Sequence, residues 1–179
     1  LMSLDTPAPV PAKKKKKKSK PVVIREDWKH VASPWLRFRL YLDSVFVDHA
    51  MFRLFFNRRK AITPRFHRSS QPYPYQLRQA ARAGVRTVIN LRGPRDCGSY
   101  YLEADACARL GLKLIDFQVF SRDAPTREKI EEAKTLFETV EYPVLVHCKS
   151  GADRAGIMAA LYMLLGEGRT ADDALDQLS

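Results

Sequence analysis

Cysteine is scarce in this chain: Cys97, Cys107 and Cys148 are all there is in 179 residues. Three thiols so far apart make neither a disulfide framework nor a zinc site. The basic N-terminal stretch has no apolar core behind it, which excludes a secretory signal. Uninterrupted apolar length is also lacking. The apolar segment from Trp35 to Lys60 is broken by Arg37, Arg39, Asp43, Asp48 and Arg53. That is too much charge for a transmembrane span of about 20 residues. His49 lies in this segment with no second His or Cys at ligand spacing, so it reads as a packed histidine. Negative charge is thin at the N-terminus. The net charge is +11, yet residues 61–179 hold 16 Lys/Arg against 15 Asp/Glu, so the first sixty residues carry +10.

What is present fits one domain with extensions; the apolar fraction of 45% is ordinary for a globular protein. Lys13 to Lys18 form an unbroken run, followed by Lys20, between Pro- and Ala-rich flanks. Such a segment has nothing to bury, and residues 1–30 read as a disordered basic tail. Its candidate partners are anionic lipid headgroups or nucleic acid, the lipid surface being preferred; a solvated tail with no partner is the alternative. Residues 31–60 read as an amphipathic helical extension. Trp35, Phe38, Leu42, Val45, His49, Phe52 and Phe56 form one stripe at helical spacing, with Ser33 and Pro34 as cap and first-turn proline. Leu36, Leu40, Val47, Met51, Leu54 and Phe55 widen the apolar surface. Docking on the domain through the stripe is the favoured reading. The other is a helix on a membrane surface, with Arg58, Arg59 and Lys60 at its end.

Residues 61–179 alternate strands and helices. Expected strands are Phe66–Arg68 at an edge, Val85–Leu91, Lys113–Phe120 and Val144–His147. Expected helices are Tyr75–Ala83 ended by Gly84, Tyr101–Leu110 ended by Gly111, Thr126–Val140, Ala155–Leu165 and Thr170–Leu178. That order predicts an α/β fold: a mostly parallel central sheet with helices on both faces and an extra N-terminal helix. Ligands in such sheets bind at the C-terminal edges of the strands. The loops Arg92–Cys97 and Ser121–Pro125 should therefore converge on Cys148.

The stretch from Pro143 to Gly156 reads P-V-L-V-H-C-K-S-G-A-D-R-A-G. It is a strand, a loop of small residues and a helix N-terminus. Inward-facing N–H groups of such a loop form an anion cradle, and the helix dipole adds to it. Arg154 supplies a planar fork matched to two phosphate oxygens. Beneath the cradle sits Cys148. A thiol at a helix N-terminus beside an arginine is the setting that produces a nucleophilic thiolate. A catalytic thiolate in turn places the chain in a reducing compartment, the cytoplasm, with a peripheral seat at the inner membrane face as an extension of that reading.

The run H-C-K-S-G-A-D-R-A-G resembles the signature loop of the protein tyrosine phosphatase superfamily, specifically the small dual-specificity-like phosphatases of bacterial type. The likeness spans Phe66 to the C-terminus. It implies a metal- and cofactor-free phosphomonoesterase. Cys148 would be the nucleophile through a phosphocysteine intermediate and Arg154 the phosphate clamp; Lys149, Ser150, Gly151, Ala152 and Asp153 would complete the substrate cradle. The family has Ser or Thr after the arginine, where this chain has Ala155. Relative to the family the C-terminal helices look incomplete: the chain is cut short, or the N-terminal helix stands in for them.

A phosphatase needs an acid for the leaving oxygen. Asp123 sits where dual-specificity phosphatases carry theirs; it also suits the N-terminus of the following helix. Asp153 lies inside the cradle, as in myotubularin- and Sac-type phosphoinositide phosphatases; its alternative is a carboxylate turned outward. Asp116 follows a strand pattern and reads as structural. Lys149, Arg92 and Arg95 are candidates for reaching a polyanionic substrate. Phosphotyrosine, phosphothreonine, a phosphoinositide and an inositol phosphate all fit such a cradle. The runner-up function is a catalytically weak or inactive phosphate-binding module tethered by its basic N-terminus. A rhodanese-like sulfur transferase is less suited to Gly151 and Gly156.

Overall fold

The computed structural model describes residues 33–47, 59–119 and 125–178. The lysine run, His49 and Asp123 lie outside them. Five strands form one sheet in the order β1-β2-β5-β3-β4: β1 Lys60–Ala61, β2 Phe66–Ser69, β3 Thr87–Asn90, β4 Lys113–Asp116 and β5 Val144–His147. Only β1 is antiparallel to its neighbour; β2, β5, β3 and β4 run parallel. The expected α/β fold is therefore present, with two differences. Phe66–Ser69 is an inner strand, because the unforeseen two-residue β1 covers its outer edge. At the other edge, Lys113–Phe120 forms a strand only to Asp116, after which Phe117 N and Val119 N bond to the Asn90 and Leu91 carbonyls outside the regular ladder.

The inner strands β2, β5 and β3 are buried on both faces, as a parallel sheet covered by helices requires, while the edge strands β1 and β4 are exposed or half-buried. Side chains alternate with the strand period of two. Ile89, Val144 and Val146 enter one core with Phe66, Phe137, Met158, Ala159 and Tyr162. Val88 and Leu145 enter the other with Leu77, Ala80, Ala106 and Cys107. The first core is roofed by α4 (Arg127–Thr139) and α5 (Asp153–Leu165), the second by α2 (Pro74–Arg82) and α3 (Gly98–Leu110). Local chemistry sets the helix ends. Pro74 begins α2, where its missing N–H costs nothing. Gly111, at φ 68°, takes the left-handed cap of α3. The Thr126 side chain accepts from Lys129 N at the start of α4, and Thr170 does the same for Asp173 N at the start of α6 (Ala171–Leu175). A turn of 3₁₀ helix, Asp176–Leu178, follows.

Helix α1 (Pro34–Val47) packs on α3. The face it buries is not the expected aromatic stripe. Leu40 and Ser44 are buried, joined by half-buried Leu36, against Tyr101 and Leu102. Trp35, Phe38, Leu42 and Phe46 point outward. The reason is close approach. At Gly98, the first residue of α3, a Cβ would collide with the Leu40 carbonyl. A slim surface is needed there, which Leu40 and Ser44 offer and an aromatic row does not. Asp43 Oδ2 accepts from Gly98 N at 2.5 Å, so one helix supplies the N-terminal cap of another.

Gly98→Ala should therefore destabilise the chain by about 1–3 kcal/mol through overpacking, and Asp43→Ala by about 0.5–2 kcal/mol through loss of the cap. Denaturant titration checks both. Unchanged stability in both variants would mean that α1 is not held on α3.

Candidate active site

Strands β2, β5 and β3 end level. Ser69 and Asn90 both pair with His147 in the parallel register. The chain segments that leave them, Ser70–Gln71, Cys148–Ala152 and Leu91–Arg92, therefore meet at one edge of the sheet. Two backbone bonds hold them: Leu91 N donates to the His147 carbonyl at 2.9 Å, and Gln71 N to the Lys149 carbonyl at 3.4 Å.

Within the loop, Gly151 decides the path. It stands at φ 80°, a conformation that L side chains rarely adopt. A Cβ on it would lie 2.6 Å from Ser70 N and 2.7 Å from the Ser69 carbonyl carbon. Only glycine lets the loop lie on the end of β2 in this way. The turn aims Gly151 N–H at Cys148, whose Sγ accepts it at 3.2 Å. Cys148 itself is buried. Lys149, Ser150, Ala152 and Asp153 are exposed on the rim, and Arg154 is half-buried. Asp153 and Arg154 are the first two residues of α5, so that helix begins directly behind the loop. A backbone amide on sulfur, a following helix N-terminus and an arginine in its first turn make up a site for an oxyanion above a thiol.

Beneath the loop lies a set of polar groups not foreseen from sequence. His147 Nε2 is 2.5 Å from Glu103 Oε1, and both side chains are fully buried. Neither of these two atoms has a hydrogen-bond partner, so the approach is an off-axis contact rather than an aligned hydrogen bond. Glu103 Oε2 accepts from Gln71 Nε2 at 2.7 Å, and Gln71 Oε1 accepts from Arg92 Nη1 at 2.9 Å. The chain of contacts runs from the residue before Cys148 to all three loops at the sheet edge. Arg92 is therefore committed beneath the site, whereas Arg95 is exposed. The available signal was Glu103 itself: it shares one helix face with Ala106 and Cys107, and a buried carboxylate needs partners. Asp116 is structural as expected, accepting from Asn90 Nδ2 at 2.8 Å and Tyr100 OH at 2.7 Å. Cys107 is no rival nucleophile: burial, and then the Glu103 charge, push its thiol far up. Among the described residues no group of His, Cys, Asp and Glu could hold a metal ion. A shallow depression of about 760 Å³ runs along α4 and Phe117, and none of Cys148–Arg154 lines it.

The sequence profile of a family described as "DSP-PTPase phosphatase fused to NAD+ Kinase" matches residues 56–179. The chain belongs to this family. Among curated proteins, this DSP-PTPase chain is 27% identical over 125 residues to the dual specificity protein phosphatase TpbA of Pseudomonas aeruginosa strain PAO1, and 25% identical over 121 residues to that of strain UCBPP-PA14. Each match covers 65% of this chain and 51% of the relative, so the chain spans about half the length of the curated relatives it matches. The fold agrees with the P. aeruginosa TpbA crystal structure at TM-score 0.52 (21% identity, 67% of this chain, 71% of that one). It agrees with the core catalytic domain of the PP-IP phosphatase SIW14 from S. cerevisiae at 0.56 (15% identity, 67% and 72%). At such identities the two structures speak for the DSP-PTPase fold alone.

Glu103→Ala should leave Gln71 Nε2 buried without its carboxylate acceptor and remove the buried carboxylate packed against His147. A loss of about 1–3 kcal/mol per stranded group is expected, read by denaturation, with Glu103→Gln losing less. Equal stability of Glu103→Ala and the parent would remove the network from the account.

Proposed function

We propose that this chain is a metal-independent phosphomonoester hydrolase working through phosphocysteine at Cys148. The observation that carries the reading is the Gly151 amide on Cys148 Sγ at 3.2 Å, directly ahead of the helix that begins with Asp153 and Arg154. In the first half-reaction the Cys148 thiolate attacks phosphorus, the bond from phosphorus to the leaving oxygen breaks, and an acid protonates that oxygen. In the second, the deprotonated acid takes a proton from water as the water oxygen attacks phosphorus, the sulfur–phosphorus bond breaks, and Cys148 departs as thiolate. Loop amides and Arg154 stabilise the charge on the equatorial oxygens throughout. For the substrate, phosphoprotein and inositol phosphate both have support: one P. aeruginosa TpbA structure is in complex with pTyr, and SIW14 is a PP-IP phosphatase. The exposed Lys149 suits either anion. The non-enzymatic phosphate-binding reading rests on Ala155 alone.

Turnover of p-nitrophenyl phosphate in chelator tests the proposal. Cys148→Ser should abolish turnover yet keep vanadate binding, because the amides and Arg154 survive. Arg154→Lys should lose both, since an ammonium cannot make the paired contact. Full turnover by Cys148→Ser would exclude the mechanism.

The acid is Asp123 or Asp153, and leaving groups separate them. Losing the acid harms poor leaving groups far more than p-nitrophenol, whose oxygen hardly needs a proton. Asp153 is exposed in the first turn of α5, so Asp153→Asn should fold normally and give a clean comparison with Asp123→Asn. Neither variant showing the asymmetry would make both assignments wrong.

Ala155 is fully buried in the same apolar cluster as Cys148 and offers the departing sulfur no hydroxyl. A hydrogen bond to a charged group contributes about 1.5–3 kcal/mol, on the order of ten- to a hundredfold in rate. A burst of p-nitrophenol stoichiometric with enzyme should precede a slower steady state, and Ala155→Ser should raise the steady rate while leaving the burst rate nearly unchanged. Absence of a burst together with no gain in Ala155→Ser would show that hydrolysis of the intermediate is not limiting.

A further inference from the structure

Helix α1 has two apolar faces, and only one is used. The inner face, with Leu36, Leu40 and Ser44, is committed to α3, and Asp43 is committed to the Gly98 amide. On the outer face Trp35 is 67% exposed, Phe38 52%, Leu42 41% and Phe46 71%. These four positions recur at three- and four-residue steps, and Trp35 stacks on Phe38 with centroids 5.9 Å apart. A contiguous exposed row of large apolar side chains marks an interaction surface.

Charge selects the occupant. The one acidic residue of α1, Asp43, faces α3; the charged side chain on the outer face is Arg39. Upstream of α1 in sequence, beyond residues 21–33 with Glu26 and Asp27, come Lys13–Lys18 and Lys20; after it come Asp48 and then Arg58, Arg59 and Lys60, so the flanks stay strongly basic on balance. The remaining 119 residues are almost neutral. An apolar aromatic face flanked by cations, on a helix with no outward carboxylate, has the composition of an interfacial helix. Among the described residues no helix is long and apolar enough to cross a membrane. We propose that the outer face of α1 and the lysine run together seat this chain peripherally on an anionic bilayer. Aromatic insertion and headgroup attraction supply the two signals that stable peripheral binding takes. Position adds a consequence. Asp43 caps α3 at the end that follows the β3 loop, and Tyr41 stacks on Tyr73, two residues beyond Gln71. The C-terminal half of α1 thus sits at the edge of the sheet that carries Cys148.

The test uses the full chain with phosphatidylcholine vesicles, with and without phosphatidylglycerol. Trp28→Phe leaves Trp35 as the sole tryptophan. Its emission should shift to the blue on anionic vesicles and be quenched by brominated lipid. The double substitution Trp35→Ser/Phe46→Ser should weaken anionic-vesicle binding about tenfold or more with p-nitrophenyl phosphate turnover unchanged. Raised salt should weaken the parent's binding. The proposal fails if vesicles sediment the chain while Trp35 emission stays put, because the lysines then act alone. It also fails if no vesicle binds at low salt, or if Trp35 and Phe46 instead govern self-association in sedimentation velocity, because the face is then a protein interface. These readouts stand whether or not the chain turns over phosphate esters.

Discussion

Between Gly151 and the Ser69–Ser70 peptide there is no space for a Cβ. That contact holds the loop after β5 on the end of β2 and sends the Gly151 amide toward Cys148. The level ending of three parallel strands makes the contact possible, and the two cores on either side of the sheet fix the strands in that register. Further along the same segment, Gly156 in α5 is packed so closely that a Cβ would lie 2.8 Å from the Gln177 carbonyl oxygen. Two of the chain's eight glycines thus set the seat of the loop and of the helix behind it.

Beneath that seat the support is polar. His147, Glu103, Gln71 and Arg92 tie the residue before Cys148 to the two neighbouring loops. Buried polar groups of this kind fix geometry when their partners are in place and are costly when one is removed. Their arrangement joins α3 to the site, and α1 is joined to α3 through Asp43 and Leu40. The N-terminal helix is therefore connected through α3 to the edge of the sheet that carries Cys148.

How much of this the sequence disclosed depended on how local the signal was. The strand, loop and helix from Val144 to Leu165 were legible because glycine, arginine and cysteine stand at fixed offsets in fifteen or so residues. Gly111 announced the end of α3 for the same reason. The two-residue strand β1 left no periodicity to read. The pairing of His147 with Glu103 joins residues 44 apart in sequence, and no local pattern encodes such a contact; only the apolar neighbours of Glu103 hinted that it was buried. Helix α1 was recognised but turned the wrong way. Both of its faces are apolar, and the choice between them was made by the clearance at Gly98, a tertiary fact. Of the two candidate acids, Asp153 is located at the start of α5, and Asp123 lies outside the described residues.

The central claim is that Cys148 carries the phosphoryl group between the two half-reactions. It is tested most directly by rapid acid quench during turnover of p-nitrophenyl phosphate, followed by peptide mass spectrometry. The account predicts one phosphoryl group per trapped chain, on the peptide containing Cys148, and none in Cys148→Ser. Turnover with no phosphoenzyme at any quench time, or with the phosphoryl group on another residue, would contradict it.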